Sequence, residues 1–445
     1  MSNLFPPVTS SSTHSLGAML FALAVVVASL LAVPVAHAQT YTVLHNFTGG
    51  SDGGNPYAGL TLDAGGNLYG TTSGFATYCG SVFKLTRRSG SWTFSVPYSF
   101  QQYGSPCGPQ SRVVFGPDGA LYGNTAFGGP EGVGTVYKLQ PPANFCPTIS
   151  CEWTITVLYG FANVPDGAYP AGDVVFDSAG NLYGATSGGG NSGYTCADDS
   201  PCGTAFELTP SSEGWTESII YNFEGGGDGA FPNGVIFDSS GHLDGTTSFR
   251  GGNLEGTVFS LAPNGQGQWK EKTYYSFSGE QDGGAPLAGV TLDGAGGFYG
   301  TTSYAGSGGG GTVWHLTPSD GNWLLNTLTS FSYSGKGYPP GSAGVLTMDA
   351  AGNLYGTTRL DGAYNEGSVF ELTFSDGGWT LTTLYSFTGG SDGGQPYGQV
   401  VIDASGNMYG TASIGGSAGQ CYQDLGMSEA YPASPSMASF DFGRT

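Results

Sequence analysis

Five aspartates, Asp52, Asp166, Asp228, Asp282 and Asp392, each stand directly before a glycine in a short connection of the chain. Carboxylate oxygens set in Gly-rich backbone are the ligands that Ca²⁺ prefers, so these residues are candidate calcium ligands, and calcium is the one cofactor the sequence suggests. The same residues suit tight turns equally well, the Asp accepting backbone N–H groups and the Gly taking the left-handed conformation. No segment matches a twelve-residue EF-hand loop. Patterns for nucleophilic catalysis do not hold up either. Gly-x-Ser-x-Gly occurs at Gly49 to Gly53, Gly389 to Gly393 and Gly415 to Gly419, and Gly-x-Gly-x-x-Gly at Gly306 to Gly311. None of them joins a strand to a helix, as those mechanisms require. Beyond residue 38 the histidines are His45, His242 and His315, each in a different setting, which argues against a Ser-His-Asp site or a multi-histidine metal centre.

What must position any site is an internal repeat. The segment Asp63 to Thr72 (DAGGNLYGTT) returns as Gly116 to Thr125 (GPDGALYGNT) and Asp177 to Thr186 (DSAGNLYGAT), then from Asp238, Asp293, Asp349 and Asp403. Successive copies lie 53, 61, 61, 55, 56 and 54 residues apart. Each unit runs through a β-rich stretch, the Asp turn, a Leu-Tyr-Gly-Thr-Thr strand, a Gly-rich loop, a Val-Phe-Glu-Leu-like strand and a strand opened by Trp. Four short strands per unit of slightly over 50 residues, with no sustained helical period, read as one propeller blade. The predicted fold is therefore an all-β propeller of seven four-stranded blades over residues 39–419. The N-terminal segment Tyr41 to Phe47 resembles the last strand of a unit and is expected to close the ring on blade seven, protecting its edges. Blade seven stops after Ser413 without its third strand. Either Ser439 to Phe442 supplies it, or the ring closes imperfectly and 420–445 is an irregular tail.

The repeated Asp of the turn and the repeated Tyr and Trp read as structural devices, a turn cap and blade-to-blade packing, since a catalytic acid is rarely needed seven times. Departures from the repeat are better places for a unique site. Where other units have Gly59, Gly234 and Gly289, this chain has Arg112, Asp173 and Gln399, all expected on the loop-bearing face and taken as ligand-binding candidates. The five Asp-Gly connections are expected on that face too, as an acidic ring near the channel. In unit four, His242 and Asp244 replace the usual Asn and Tyr and, two apart on a strand, point to one side.

The composition sets the partners. Only 10% of the 445 residues are charged, 33 acids face 11 bases, and the net charge is −22. With no basic cluster denser than Arg87-Arg88 or the pair Lys270 and Lys272, this charge repels phosphate backbones and anionic headgroups, and nucleic acid is not expected as a partner. An apolar run from Leu16 to Val33, then Pro34 and Ala36-His37-Ala38, has the form of a signal peptide over 1–38 cleaved before Gln39. An n-region without Lys or Arg leaves an uncleaved anchor as the alternative. No second apolar stretch of spanning length follows. The cysteines agree with export: Cys146/Cys151 and Cys196/Cys202 suit loop-closing disulfides, and Cys79 with Cys107 is a third candidate pair. Cys421 is the odd one out, either free, intermolecular or a rival partner for one of that last pair.

The string Gly49 to Gly54 (GGSDGG), the DxxGNLYGTT core and the stretch from Gly367 through Thr373 to Trp379 closely resemble the Gloeo/Verruco (GloVer) tandem repeat of exported bacterial proteins, across about residues 40 to 415. That resemblance implies secretion or surface display and no particular activity.

These readings lead to an exported binding or interaction module that presents loops on a rigid ring to a polysaccharide or a cell-surface protein. Two alternatives stand beside it. One is a calcium-dependent propeller hydrolase or lactonase that uses Asp166, Asp173 and Asp228. The other is a structural envelope component without a ligand.

Overall fold

The computed structural model describes residues 40–74, 79–101, 106–142, 153–191, 193, 196, 201–333, 344–417 and 436–441. The expected signal segment 1–38 lies outside them, as do Cys146, Cys151 and Cys421. Every regular element among the described residues is a β-strand, and the strands form four-stranded antiparallel sheets arranged as a propeller.

Six blades are each made from four consecutive strands, over 61–99, 114–160, 167–222, 230–276, 291–332 and 347–386. Blade four shows the pattern: Ala230–Phe237, Leu243–Phe249, Thr257–Pro263 and Trp269–Ser276 pair in chain order as a meander. The first strands line the central channel, and the second and third carry the core. The third strand brings a large aromatic, such as Phe206, across the repeated glycine of the second. A Cβ on Gly184 would lie 2.5 Å from the Phe206 ring, which is why this position stays glycine.

The core sits between blades. Tyr122 and Phe161 of blade two pack with Leu182, Phe206 and Leu208 of blade three. Tyr122 meets Phe176 edge-on at 4.9 Å and Trp215 at 6.4 Å, so the repeated Tyr and Trp hold neighbouring blades together, as their recurrence suggests. Full burial of one such side chain contributes roughly 2–3 kcal/mol, repeated at each interface.

The repeat count predicts seven blades, and the structure shows six complete ones. The reason lies in the seventh unit, which ends before any Val-Phe-x-Leu segment and supplies only Val401–Ile402 and Met408–Ala412. Two distant segments join these in a four-stranded antiparallel sheet. Ser436–Asp441 pairs beside Met408–Ala412, with Phe440 opposite Met408, and Thr40–Asn46 pairs on its far side, with Thr40 opposite Asp441. The C-terminal region thus provides a strand, and the N-terminal strand docks on that strand rather than directly on the seventh repeat.

Candidate functional site

One cavity of about 290 Å³ opens where the first strands of all seven repeats begin. Arg112, Asp173 and Gln399 all line it, so three departures that lie far apart in the chain converge on one place. Small residues let the strands crowd together here: a Cβ on Gly172 would stand 2.3 Å from the carbonyl oxygen of Asn233 in the next blade. The substitutions therefore put bulk and polarity where other repeats have almost none.

Arg112 and Asp173 bind each other across the interface between blades two and three. The Arg112 backbone N–H donates to Asp173 Oδ1 at 2.9 Å and its Nε to Oδ2 at 2.7 Å. This contact holds one edge of the guanidinium. Its two terminal nitrogens have no hydrogen bond among the described residues, so the pair is charge-balanced yet keeps spare donors. Gln399 donates through Nε2 to Thr347 Oγ1 at 3.1 Å, while its carbonyl Oε1 is buried without a partner. Tyr57 and Tyr397 add an edge-to-face pair at 5.1 Å to the same wall, with Arg359 4.9 Å over the Tyr397 ring. Spare donors, a spare acceptor and aromatic faces in one cleft are the equipment for binding a hydroxyl-rich molecule.

The five Asp-Gly residues lie elsewhere. None of them lines the cavity. Each carboxylate turns back onto the outer strand that precedes it, accepting the hydroxyl of a tyrosine seven residues earlier and the backbone N–H four residues earlier. For Asp166 the donors are Tyr159 at 3.0 Å and Ala162 at 2.9 Å. For Asp228 they are Tyr221 at 3.1 Å and Glu224 at 2.7 Å. Asp282 and Asp392 repeat the clamp with Tyr275 and Tyr385, both at 3.0 Å, and His45 Nε2 takes the tyrosine's place 3.3 Å from Asp52. The acidic ring expected at the channel is thus five separate turn clamps. Among the described residues no group of three or more His, Cys, Asp or Glu could hold a metal ion, and Asp166 and Asp228 do not meet Asp173. The spacing Tyr-x₆-Asp was the available signal, legible once the outer strand and the loop are read together.

Sequence reasoning also passed over Glu217, whose carboxyl is pushed up to about 7 by burial and then by the charge of Asp166. It stands two residues after the strand-opening Trp215, where blade four has Glu271 and other blades have Phe94, Ile155 or Leu325.

Asp244 does not line the mouth, although it pairs with the cavity-lining Ile236 on the neighbouring strand. It is fully buried, neither carboxylate oxygen has a hydrogen-bond partner, and Ser260, opposite it on the next strand, has an unpartnered hydroxyl as well. Burial lifts its pKa to about 6. His242 instead faces the turn, its Nδ1 3.3 Å from Asp238.

Two of the expected disulfides are present, Cys79–Cys107 and Cys196–Cys202. Among the described residues no helix is long and apolar enough to cross a membrane.

These features define a β-propeller repeat protein with a cleft at its channel mouth into which a few polar side chains converge. The model of the Gloeobacter/Verrucomicrobia repeat matches residues 33–197, 147–340 and 195–422, and the chain belongs to that family. No curated protein matches it. Solved structures of similar shape include a protein from Lactobacillus plantarum, 14% identical with a TM-score of 0.48, covering 84% of this chain and 98% of its own. A glucose dehydrogenase is 13% identical with a TM-score of 0.42, covering 90% and 99%. A puromycin hydrolase is 12% identical with a TM-score of 0.47, covering 84% of this chain and 52% of its own. Likenesses this distant say nothing about activity.

Proposed function

We propose that this protein is an exported binding module in which the composite sheet serves as the seventh blade of a closed ring, and that the channel mouth captures the end of a saccharide. The observation that carries this reading is the convergence of Arg112, Asp173 and Gln399 on one cavity, with unpaired donors on Arg112 and an unpaired acceptor on Gln399. A sugar hydroxyl both donates and accepts, so it complements a charge-balanced pair and an amide oxygen better than an anion would. Disulfides between surface loops suit an oxidising compartment and support export.

The test is ligand-observed NMR, using saturation transfer from the purified protein to a panel of monosaccharides and disaccharides at neutral pH. Saturation of at least one sugar is expected, with at least a tenfold weaker affinity in Arg112→Gln and Gln399→Ala. Sugar binding that both variants leave unchanged removes the mouth as the site.

A further inference from the structure

Beside the mouth, blades two to four carry a band of exposed aromatic rings. Phe127 is 49% exposed, Tyr169 44% and Phe249 38%. Phe127 and Tyr169 meet edge-on at 6.2 Å, and Phe231 stacks parallel to Phe249 at 6.1 Å, with the Arg250 guanidinium 5.4 Å over the Phe249 ring. The rings are held in place. Tyr169 and Phe231 have φ of 56° and 58°, in the left-handed region that bulky residues avoid. Their carbonyl oxygens are pinned by the hydroxyls of Ser187 at 3.1 Å and Ser248 at 3.2 Å. Equivalent positions in other units also have positive φ but carry Asn55, Ala285 and Gln395. The fold therefore needs the turn and does not need aromatic rings there. Arg250 also donates to the Cys196 carbonyl, next to the Cys196–Cys202 disulfide, which ties the neighbouring loop to this band.

Position relates the band to the mouth. Tyr169 lies two residues before Ala171, and Phe231 two before Asn233, both of them cavity-lining, so each ring begins about 7 Å of chain from the wall. The two aromatic pairs, one on blades two and three and one on blade four, offer rigid ring faces that bind extended apolar surfaces at little entropic cost, and the C–H faces of pyranose rings are such surfaces. With a net charge of −22 on the chain, a polyanion is repelled.

We infer that the Phe127, Tyr169, Phe231 and Phe249 band is a second binding surface, on which a neutral polysaccharide lies as it runs outward from the channel mouth. This rests on the saccharide reading of the mouth, and the two are separable by experiment. The protein is run by affinity electrophoresis through native gels containing hydroxyethyl cellulose, glucomannan, starch or polygalacturonate. At least one neutral polymer is expected to retard it and polygalacturonate not to. Tyr169→Ala combined with Phe249→Ala is expected to weaken the retardation at least fivefold while leaving monosaccharide saturation transfer, and the circular dichroism of the fold, unchanged. Retardation that survives in this double variant but vanishes in Arg112→Gln overturns the band and leaves the mouth standing. Retardation by polygalacturonate alone, or by none of the four, also overturns it. Loss of monosaccharide binding in wild type counts against the mouth and not against the band.

Discussion

Thr411 Oγ1 donates to the carbonyl oxygen of Ala58 at 3.0 Å, across 353 residues of sequence. The same latch recurs between neighbours within the ring: Thr71 bonds to the Ser111 carbonyl, Thr246 to Ala288 and Thr357 to Gly398. Thr411 thus makes to the first blade the contact that Thr71 makes to the second. Tyr409 against Trp92 at 5.6 Å and Asp403 against Arg87 at 3.5 Å reinforce the junction.

Replacing Thr411 with Val keeps the shape and leaves the buried Ala58 carbonyl unpaired. The expected cost is about 1–2 kcal/mol, read as a lower urea midpoint at unchanged slope. A larger loss with a broadened, two-phase transition would show that this bond alone holds Met408–Ala412 against the first blade.

The turn clamps are structural. Asp228→Asn takes the charge from a carboxylate that accepts N–H groups from Glu224 and Gly226 and the Tyr221 hydroxyl, and is expected to cost about 1–3 kcal/mol. The variant should melt below wild type, and for each protein the midpoint in calcium should equal that in chelator. A rise with calcium that Asp228→Asn abolishes would instead make the clamp a metal site.

Asp244 gives stability a pH dependence of unusual sign. Its pKa is about 6 in the fold against 3.8 unfolded. Below pH 4 the carboxyl is protonated in both states and contributes nothing. Between about pH 4 and 6 the unfolded chain releases the proton while the fold retains it, so stability falls as pH rises through this window and stays lower above it. The loss is roughly 2–3 kcal/mol. Asp244→Asn is expected to flatten that segment of a denaturation curve and to raise stability at pH 7.

The same residue has a partner that compensates for it. Where other units place a Tyr, Asp244 leaves the interface with blade five short of a ring, and Tyr274, at a position held by Leu158, Ile220 or Leu384 elsewhere, supplies one at 4.1 Å from Trp323. Asp244→Tyr alone should destabilise by overpacking, and Tyr274→Leu alone by leaving a cavity. The double variant should recover most of both losses, a coupling that a double-mutant cycle measures directly.

Breaking Cys79–Cys107, which spans 28 residues, should cost about 3 kcal/mol in the Ser/Ser variant. The check is the melting temperature of both proteins: the variant should melt below wild type without reductant, and the two should converge when reductant is present.

The four-strand grammar, the Asp turn, the packing roles of Tyr and Trp and two disulfide pairings were legible along the chain because each depends on neighbours close in sequence or repeated at a fixed interval. Asp63, for instance, accepts from Gly65, Asn67 and Tyr69, all within six residues. Arg112, Asp173 and Gln399 are visible in the sequence as departures from the repeat, and in the fold all three line one cavity. That Arg112 and Asp173 bind each other depends on the contact between blades two and three, which no spacing encodes. The five Asp-Gly carboxylates were placed at the channel because their connections lead there. Only the folded chain shows that Tyr159 and its equivalents draw them back to the outer strand. Sequence periodicity likewise counted seven units, but a strand is defined by its hydrogen-bonded neighbours. The segments beside Met408–Ala412 come from the two ends of the chain, so that sheet was decided by long-range pairing alone.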